Sequence, residues 1–276
     1  MMARQIFPML GRTLQLIYHP LVVCVNTSQE GFMTMKKTMI MLGNLLLISL
    51  CLVSCKRQAP AEAIGYWHWT YHDSFAPQGT TMGIAFFGSV DPSIALAQSL
   101  KVNARLKGDK YICLGGGNSS GEYTAQAIEK IILAIQTGDF ASYQGIAFDV
   151  ELGASDLEDA FSKLFAITKM NHLKVLVTVS HSDPYGVGDK STLMESFFAN
   201  EDIDVLSPQL YTTGRETAND YTANGIQFSD YSKSKAAVVP SIVRSEYYPD
   251  AQAYFKKQGV TLKGYIQWHQ NSSPQP

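Results

Sequence analysis

Eight short runs of apolar and β-branched residues recur along the chain, and their spacing restricts its fold more than any other feature. They lie at 64–70, 82–90, 110–116, 143–151, 174–180, 204–211, 236–243 and 264–268. Most are separated by segments of helical period. Ile128, Ile131, Ile132 and Ile135 follow the i, i+3, i+4, i+7 spacing of one buried helix face. Leu157, Phe161, Leu164, Phe165 and Thr168 form a second stripe, introduced by Ser155 and Glu158 at capping-box spacing. The segments after the first and sixth runs carry no such stripe and can be irregular loop. Strands alternating with helices imply parallel βαβ units, and eight of them predict an α/β protein, a (β/α)8 TIM barrel. Only residues 245–263 separate the last two runs, room for a helix but not for an inserted α+β subdomain. An open doubly wound sheet is the alternative. Its phosphate-binding signature is absent, because Leu114-Gly-Gly-Gly117 has neither the G-x-G-x-x-G spacing nor a Walker lysine.

The fourth run, Tyr143-Gln-Gly-Ile-Ala-Phe-Asp-Val-Glu151, sets two carboxylates inside an apolar strand. Alternation puts Ala147, Asp149 and Glu151 on one face and Ile146, Phe148 and Val150 on the other. Carboxylates in an interior cost several kcal/mol of desolvation unless paired, so their presence at a strand end marks a candidate site. An edge strand whose acids face water is the plainer explanation. In a parallel barrel the site lies at the carboxyl ends of the strands, where Glu151 falls and where other strands must supply its partners.

Those partners have a familiar order. The run at 143–151 resembles the D-x-x-D-x-D-x-E signature of the family-18 glycoside hydrolases, the chitinases and endo-β-N-acetylglucosaminidases. The four acid positions here are Gln144, Ala147, Asp149 and Glu151. Gly65-Tyr66 on the first run resembles the family's G-Y, and Cys113-Leu-Gly-Gly116 on the third resembles its S-x-G-G. Gln209-Leu-Tyr211 on the sixth and Ile266-Gln-Trp268 on the eighth resemble its Q-x-Y and closing I-x-W. The resemblance runs from Ala63 to Gln270. It implies a glycosidase cleaving β-1,4 linkages beside N-acetylglucosamine by substrate-assisted retention, an exception to the two-carboxylate scheme. Glu151 would be the general acid, with Asp149 and Tyr211 holding the sugar's 2-acetamido group. Tyr66, Gln209, Trp268 and Gly116 would bind substrate, with Trp268 as the floor. Repulsion from Asp149 would keep Glu151 protonated. The partner would be an N-acetylglucosamine-containing oligo- or polysaccharide such as a chitooligosaccharide or an N-glycan core, with no cofactor. Ala147 replaces an acid that many relatives use, which opens a second reading, a non-catalytic, lectin-like barrel of the same family. A third is a different retaining barrel glycosidase with a protein nucleophile.

Composition narrows the remaining classes. A net charge of -2 without long basic runs argues against nucleic acid. Cys24, Cys51, Cys55 and Cys113 lack the close pairing of a zinc site, and His68, His181 and His269 sit near strand ends without metal-ligand spacing. No metal is expected, and His68 and His181 are read as cleft lining. Asn118, Ser119 and Ser120 are placed in a loop over the site. Met35-Lys-Lys, an apolar stretch at 39–50 and Leu52-Val-Ser-Cys55 have the layout of a signal peptide ending in a bacterial lipobox. The expected organisation is therefore an upstream, untranslated or disordered extension (1–34), a lipoprotein signal (35–54), a tether (55–62) and the barrel (63–276). Lipidation at Cys55 would anchor an exported domain to a bacterial membrane.

Overall fold

The computed structural model describes residues 62–223 and 225–268. The proposed signal, lipobox and Cys55, together with His269, lie outside them. Among the described residues no helix is long and apolar enough to cross a membrane.

The strands are β1 (Ala63–Trp69), β2 (Met82–Phe86), β3 (Asp109–Gly115), β4 (Gly145–Val150), β5 (Lys174–Ser180), β6 (Val205–Gln209), β7 (Ala237–Val238), β8 (Ser241–Ile242) and β9 (Gly264–Gln267). All pair in parallel, and the β5–β6 pairing closes the ring. The result is a single (β/α)8 barrel. Its seventh stave consists of β7 and β8, separated by Val239 and Pro240, because Pro240 has no N–H to give to a ladder. Among the described residues five helices flank it: α1 (Pro92–Asn103), α2 (Ala125–Gln136), α3 (Glu158–Met170), α4 (Lys190–Ala199) and α5 (Tyr248–Lys257). No α-helix follows β1, and only a 3-10 turn at Phe228–Lys233 follows β6, in the two places where the sequence carries no apolar stripe. Between β8 and β9 a 3-10 turn and α5 fill the connection, with no inserted subdomain.

The predicted faces are buried as expected. Ile128, Ile131, Ile132 and Ile135 on α2 pack with Phe161, Leu164 and Phe165 on α3 and with Ile146, Phe148 and Val150 on β4, in the layer between barrel and helices. Inside the barrel a separate apolar set includes Trp67, Tyr111, Cys113, Ala147, Leu176 and Ile266. The two sets are the two faces of the same strands. Helix starts differ in one respect. α1 is capped by Asp91, whose carboxylate accepts from the Ser93 and Ile94 amides, and α2 by Thr124, whose hydroxyl accepts from the Ala127 amide at 3.1 Å. The capping box expected of Ser155 does not form: α3 begins at Glu158 after Leu157, without a side-chain cap. Asp156, between them, takes a left-handed φ of 61°, which turns the chain before the helix starts.

Glu62, the first described residue, is tied to the last helix. The Glu62 carboxylate accepts hydrogen bonds from Tyr248 Oη at 3.3 Å and Gln252 Nε2 at 3.2 Å on α5.

Candidate active site

At the carboxyl end of the strands lies a cleft of ≈ 590 Å³, bounded by Phe86, Gly117, Asp149, Glu151, His181, Tyr185, Gln209, Tyr211 and Trp268, among others. The strand registers explain the convergence. Asp149 lies level with Gly115 on β3 and Thr178 on β5, and Gln209 lies level with Ser180 and Ser241. Gln209 Nε2 donates to Asp149 Oδ1 at 3.0 Å, fixing the buried carboxyl from β6, the strand beyond β5. Glu151 is the first residue past β4 and is held through its backbone. Its carbonyl accepts from Gly186, and the next carbonyl, of Leu152, accepts from Tyr123, each at 2.9 Å. Tyr123 is fully buried and donates its own hydroxyl to Leu114 O at 2.6 Å.

The glycines after β3 make room for this pair. Gly115 has a φ of 97°, and a Cβ there would meet the Asp149 carbonyl at 2.3 Å. A Cβ on Gly117 would come within 2.8 Å of Glu151 Oε2. Any side chain at either position would push the acids out of place.

Both carboxyls have raised proton affinity. Burial is the main cause for each; repulsion from Glu151 raises Asp149 further, while the Gln209 amide pulls it back. For Glu151, hydrogen bonds from Gln209 and with Asp149, the nearby His181 and the Gly117 amide all oppose the effect of burial without cancelling it. Desolvation is the leading cause at both carboxyls, and the repulsion between them belongs to the pair rather than to either acid. Two interacting carboxyls in one dry site hold a proton between them.

An aromatic wall faces the acids. Tyr211 stacks on Trp268 with ring centroids 5.5 Å apart and an interplanar angle of 23°. Phe86 and Trp69 approach Trp268 at 5.2 and 5.0 Å. The Tyr211 hydroxyl lies 3.1 Å from Ser241 Oγ, which also accepts from Trp67 Nε1 at 2.8 Å. Opposite, the Tyr185 hydroxyl donates to Gly117 O at 3.1 Å, so an exposed ring spans the loops after β3 and β5 beside Glu151. His181 Nε2 lies 3.1 Å from Asp220 Oδ2 and 3.2 Å from Thr212 Oγ1.

Five of the residues singled out from the sequence therefore meet in one cleft: Asp149, Glu151, Gln209, Tyr211 and Trp268. Two others do not line it. Tyr66 is buried on the outer side of β1, where its hydroxyl accepts from the Lys107 amide at 3.1 Å, while Trp67 and Trp69 belong to the inward face. Alternation on β1 makes the two sets exclusive. Gly116 stands against Gly88 and Phe86, and Gly117 takes the place beside Glu151. His181 lines the cleft. His68 lies on the outer face with Tyr66, its Nδ1 3.1 Å from the Trp69 carbonyl. Asn118 lines the cleft, and its Oδ1 accepts from the Ser120 amide. Gln144 is structural: its Oε1 accepts from the Lys110 amide at 2.8 Å at the start of the strands. Tyr185, Phe86 and Ser241 escaped sequence reasoning. Phe86 and Tyr185 each stand just before or after a glycine-containing turn at a strand end, a signal that many loop aromatics share. Among the described residues no cluster of His, Cys, Asp and Glu could hold a metal ion.

The fold and the site together define a (β/α)8 barrel with an acid pair, one buried and one half-buried, and an aromatic wall at its carboxyl mouth. No protein-family model matches the chain, and no curated protein matches it. Among solved structures it is similar to a chitinase from Chromobacterium violaceum ATCC 12472, at 15% identity over 71% of this chain and 77% of that one, with a TM-score of 0.41. It is similar also to the chitinase domain of the spore coat protein CotE from Clostridium difficile, at 14% identity over 78% and 67%, with a TM-score of 0.41. A third is the homocysteine methyltransferase MmuM from Escherichia coli, at 12% identity over 68% and 75%, again with a TM-score of 0.41. These neighbours have different activities, so the side chains of the site must carry the functional reasoning.

Proposed function

We propose that the protein is a glycosidase that cleaves a β-linked oligosaccharide beside an N-acetylglucosamine unit by a substrate-assisted retaining mechanism. The observation that carries this reading is the adjacent pair of Asp149, buried, and Glu151, half-buried, at the barrel mouth, both raised in proton affinity. A general acid that works near neutral pH needs such an environment. The sequence resemblance to family-18 glycoside hydrolases supports the same reading.

In this scheme Glu151 gives its proton to the glycosidic oxygen as the bond from that oxygen to the anomeric carbon breaks. The carbonyl oxygen of the sugar's own 2-acetamido group attacks the anomeric carbon, and an oxazolinium ion forms. Asp149, oriented by Gln209, receives the acetamido N–H and balances the positive charge. Tyr211 turns its hydroxyl from Ser241 to the acetamido oxygen, while Trp268 lies under the apolar face of the ring. Water then opens the oxazolinium, returning its proton to Glu151. The product keeps the starting anomeric configuration, and no protein nucleophile is consumed.

Glu151→Gln preserves shape and removes the transferable proton. Turnover of an aryl N-acetylglucosaminide or a chitooligosaccharide should fall by ~10²- to 10⁴-fold with little change in affinity. The wild type should leave the matching glucoside intact. Equal cleavage of both would support a protein nucleophile instead. Ala147, an apolar residue where many family-18 enzymes have an acid, favours a second reading, a sugar-binding barrel. Tight binding of these oligosaccharides without turnover by the wild type would decide for it.

A further inference from the structure

Among the described residues that line the cleft, only His181 can become a cation. It stands directly after β5 with a left-handed φ of 47°. A residue with a Cβ adopts that conformation at some cost, so its surroundings must hold it there. The connection after β6 does so. His181 Nε2 lies 3.1 Å from Asp220 Oδ2 and 3.2 Å from Thr212 Oγ1. Asp220 Oδ1 in turn accepts from the Thr222 amide at 2.9 Å and from the Thr222 hydroxyl at 2.7 Å, and Oδ2 accepts from Thr212 Oγ1 at 3.2 Å. Burial alone would raise the proton affinity of Asp220, yet these hydrogen bonds and the imidazole hold its carboxyl down to about 2. An ionised carboxylate only accepts, so Nε2 carries the proton shared with Asp220. Among the described residues no hydrogen bond reaches Nδ1, which leaves that nitrogen open to a second proton.

The same connection fixes the imidazole relative to the acid. The Tyr185 amide donates to Ser180 Oγ at 3.0 Å, and the next amide, of Gly186, donates to the Glu151 carbonyl at 2.9 Å. No acid lies beneath the pair, because Ala147 is fully buried among apolar neighbours. The charged and titratable groups around Glu151 are therefore Asp149 on its own strand, His181 after β5, and the Tyr185 and Tyr211 phenols, with Asp220 behind the imidazole. Burial lifts Glu151, and His181 is among the neighbours that oppose it.

We propose that His181, held by Asp220, is a positioning residue whose doubly protonated form is the counter-charge that makes Glu151 a stronger acid. It acts from the side of the cleft, in a barrel whose interior carries no acid at 147. This rests on the glycosidase reading and deepens it, by naming what sets the strength of the proton donor.

The Glu151 carboxyl carbon can be followed by NMR against pH in the full-length protein carrying carboxyl-labelled glutamate, with Glu151→Gln identifying its signal. Asn tolerates the left-handed backbone and cannot become a cation, so His181→Asn removes the charge and keeps the turn, which a melting curve checks. Glu151 should then hold its proton about threefold or more tightly. Asp220→Asn keeps an acceptor for Nε2 but removes the charge that favours the imidazolium, and should act in the same direction by less. In both variants the alkaline limb of kcat/KM for an aryl N-acetylglucosaminide should move to higher pH with the Glu151 titration. A Glu151 titration that neither variant moves, or that moves to lower pH, would overturn the counter-charge, and turnover by the wild type would leave the glycosidase reading standing. The expected titration shift with no turnover of any acetamido sugar by the wild type would uphold the charge relation and overturn that reading.

Discussion

The two ends of this barrel treat carboxylates in opposite ways. At the amino end Asp204 accepts both contacts of Lys169 Nζ, at 2.6 and 2.8 Å, and also the Val175 amide. Asp109 there is paired with Lys174 at 2.6 Å. At the carboxyl end Asp149 and Glu151 face each other, and no lysine or arginine among the described residues forms an ion pair with either. One end uses charge to hold strands together. The other keeps charge dry and uncompensated, which costs stability but gives a proton of raised affinity. A barrel whose sites sit at its carboxyl mouth divides its labour in this way.

The sharpest attempt to break that contrast is to add charge to the layer between the ends. Ala147 lies fully buried beside Cys113 and Leu176 in the barrel interior, beneath Asp149. Ala147→Asp, which restores the family-18 acid, should lower stability by about 3 kcal/mol, because the new carboxyl finds only apolar neighbours and a third acid above it. A chemical-denaturation midpoint equal to that of the wild type would mean that the mouth tolerates more charge than its burial implies.

Next in size is the acid pair itself. Glu151→Gln should raise stability at neutral pH while lowering turnover by the ~10²- to 10⁴-fold expected of a lost general acid. The pH dependence gives the sign independently. Burial lifts both carboxyls above their ordinary range, so the folded state retains a proton that the unfolded chain releases. The wild type should therefore be most favoured below the ordinary carboxylate range and lose stability as pH rises through the raised values. In Glu151→Gln that loss should shrink, and melting curves from pH 4 to 8 would show the two proteins diverging. Parallel curves would indicate that the pair is already neutralised by something other than a shared proton.

The smallest effect belongs to the amino end and has the opposite sign. Asp204→Ala should destabilise by roughly 0.5–1 kcal/mol, a value reduced because both partners are about a third exposed, and should leave activity on any substrate unchanged. Loss of activity in this variant would blur the separation between the two ends.

Much of this could be read along the chain. Period-2 alternation on β4 assigned Asp149 and Glu151 to the inner side and Phe148 to the outer, and the structure divides them that way, since alternation is a local property of the backbone. The stripes on α2 and α3 were legible for the same reason, and the absence of a stripe after β1 and β6 correctly marked the connections without α-helices. Strand ends were less legible. The second run was expected to reach Val90 but stops at Phe86, before Gly88 with its φ of 85°, and the sixth ends at Gln209. Hydrophobicity continues past the last ladder hydrogen bond, and only neighbouring strands decide where pairing ends.

What the sequence alone determined, then, was the number and order of strands, the face on which each acid lies and the residue types available at their carboxyl ends. Periodicity is written in adjacent residues, so it needs no knowledge of the rest of the chain. Tertiary structure decided which of those residues meet. Tyr66 and Trp67 are neighbours in sequence, yet closure of the barrel sends one outward to the Lys107 amide and the other inward to Ser241. How far burial lifts Glu151 depends on Gln209, Gly117 and His181, which approach from three other strands and oppose it. Proton affinity is set by solvent exclusion and by charges across space, and neither is a property of any stretch of sequence.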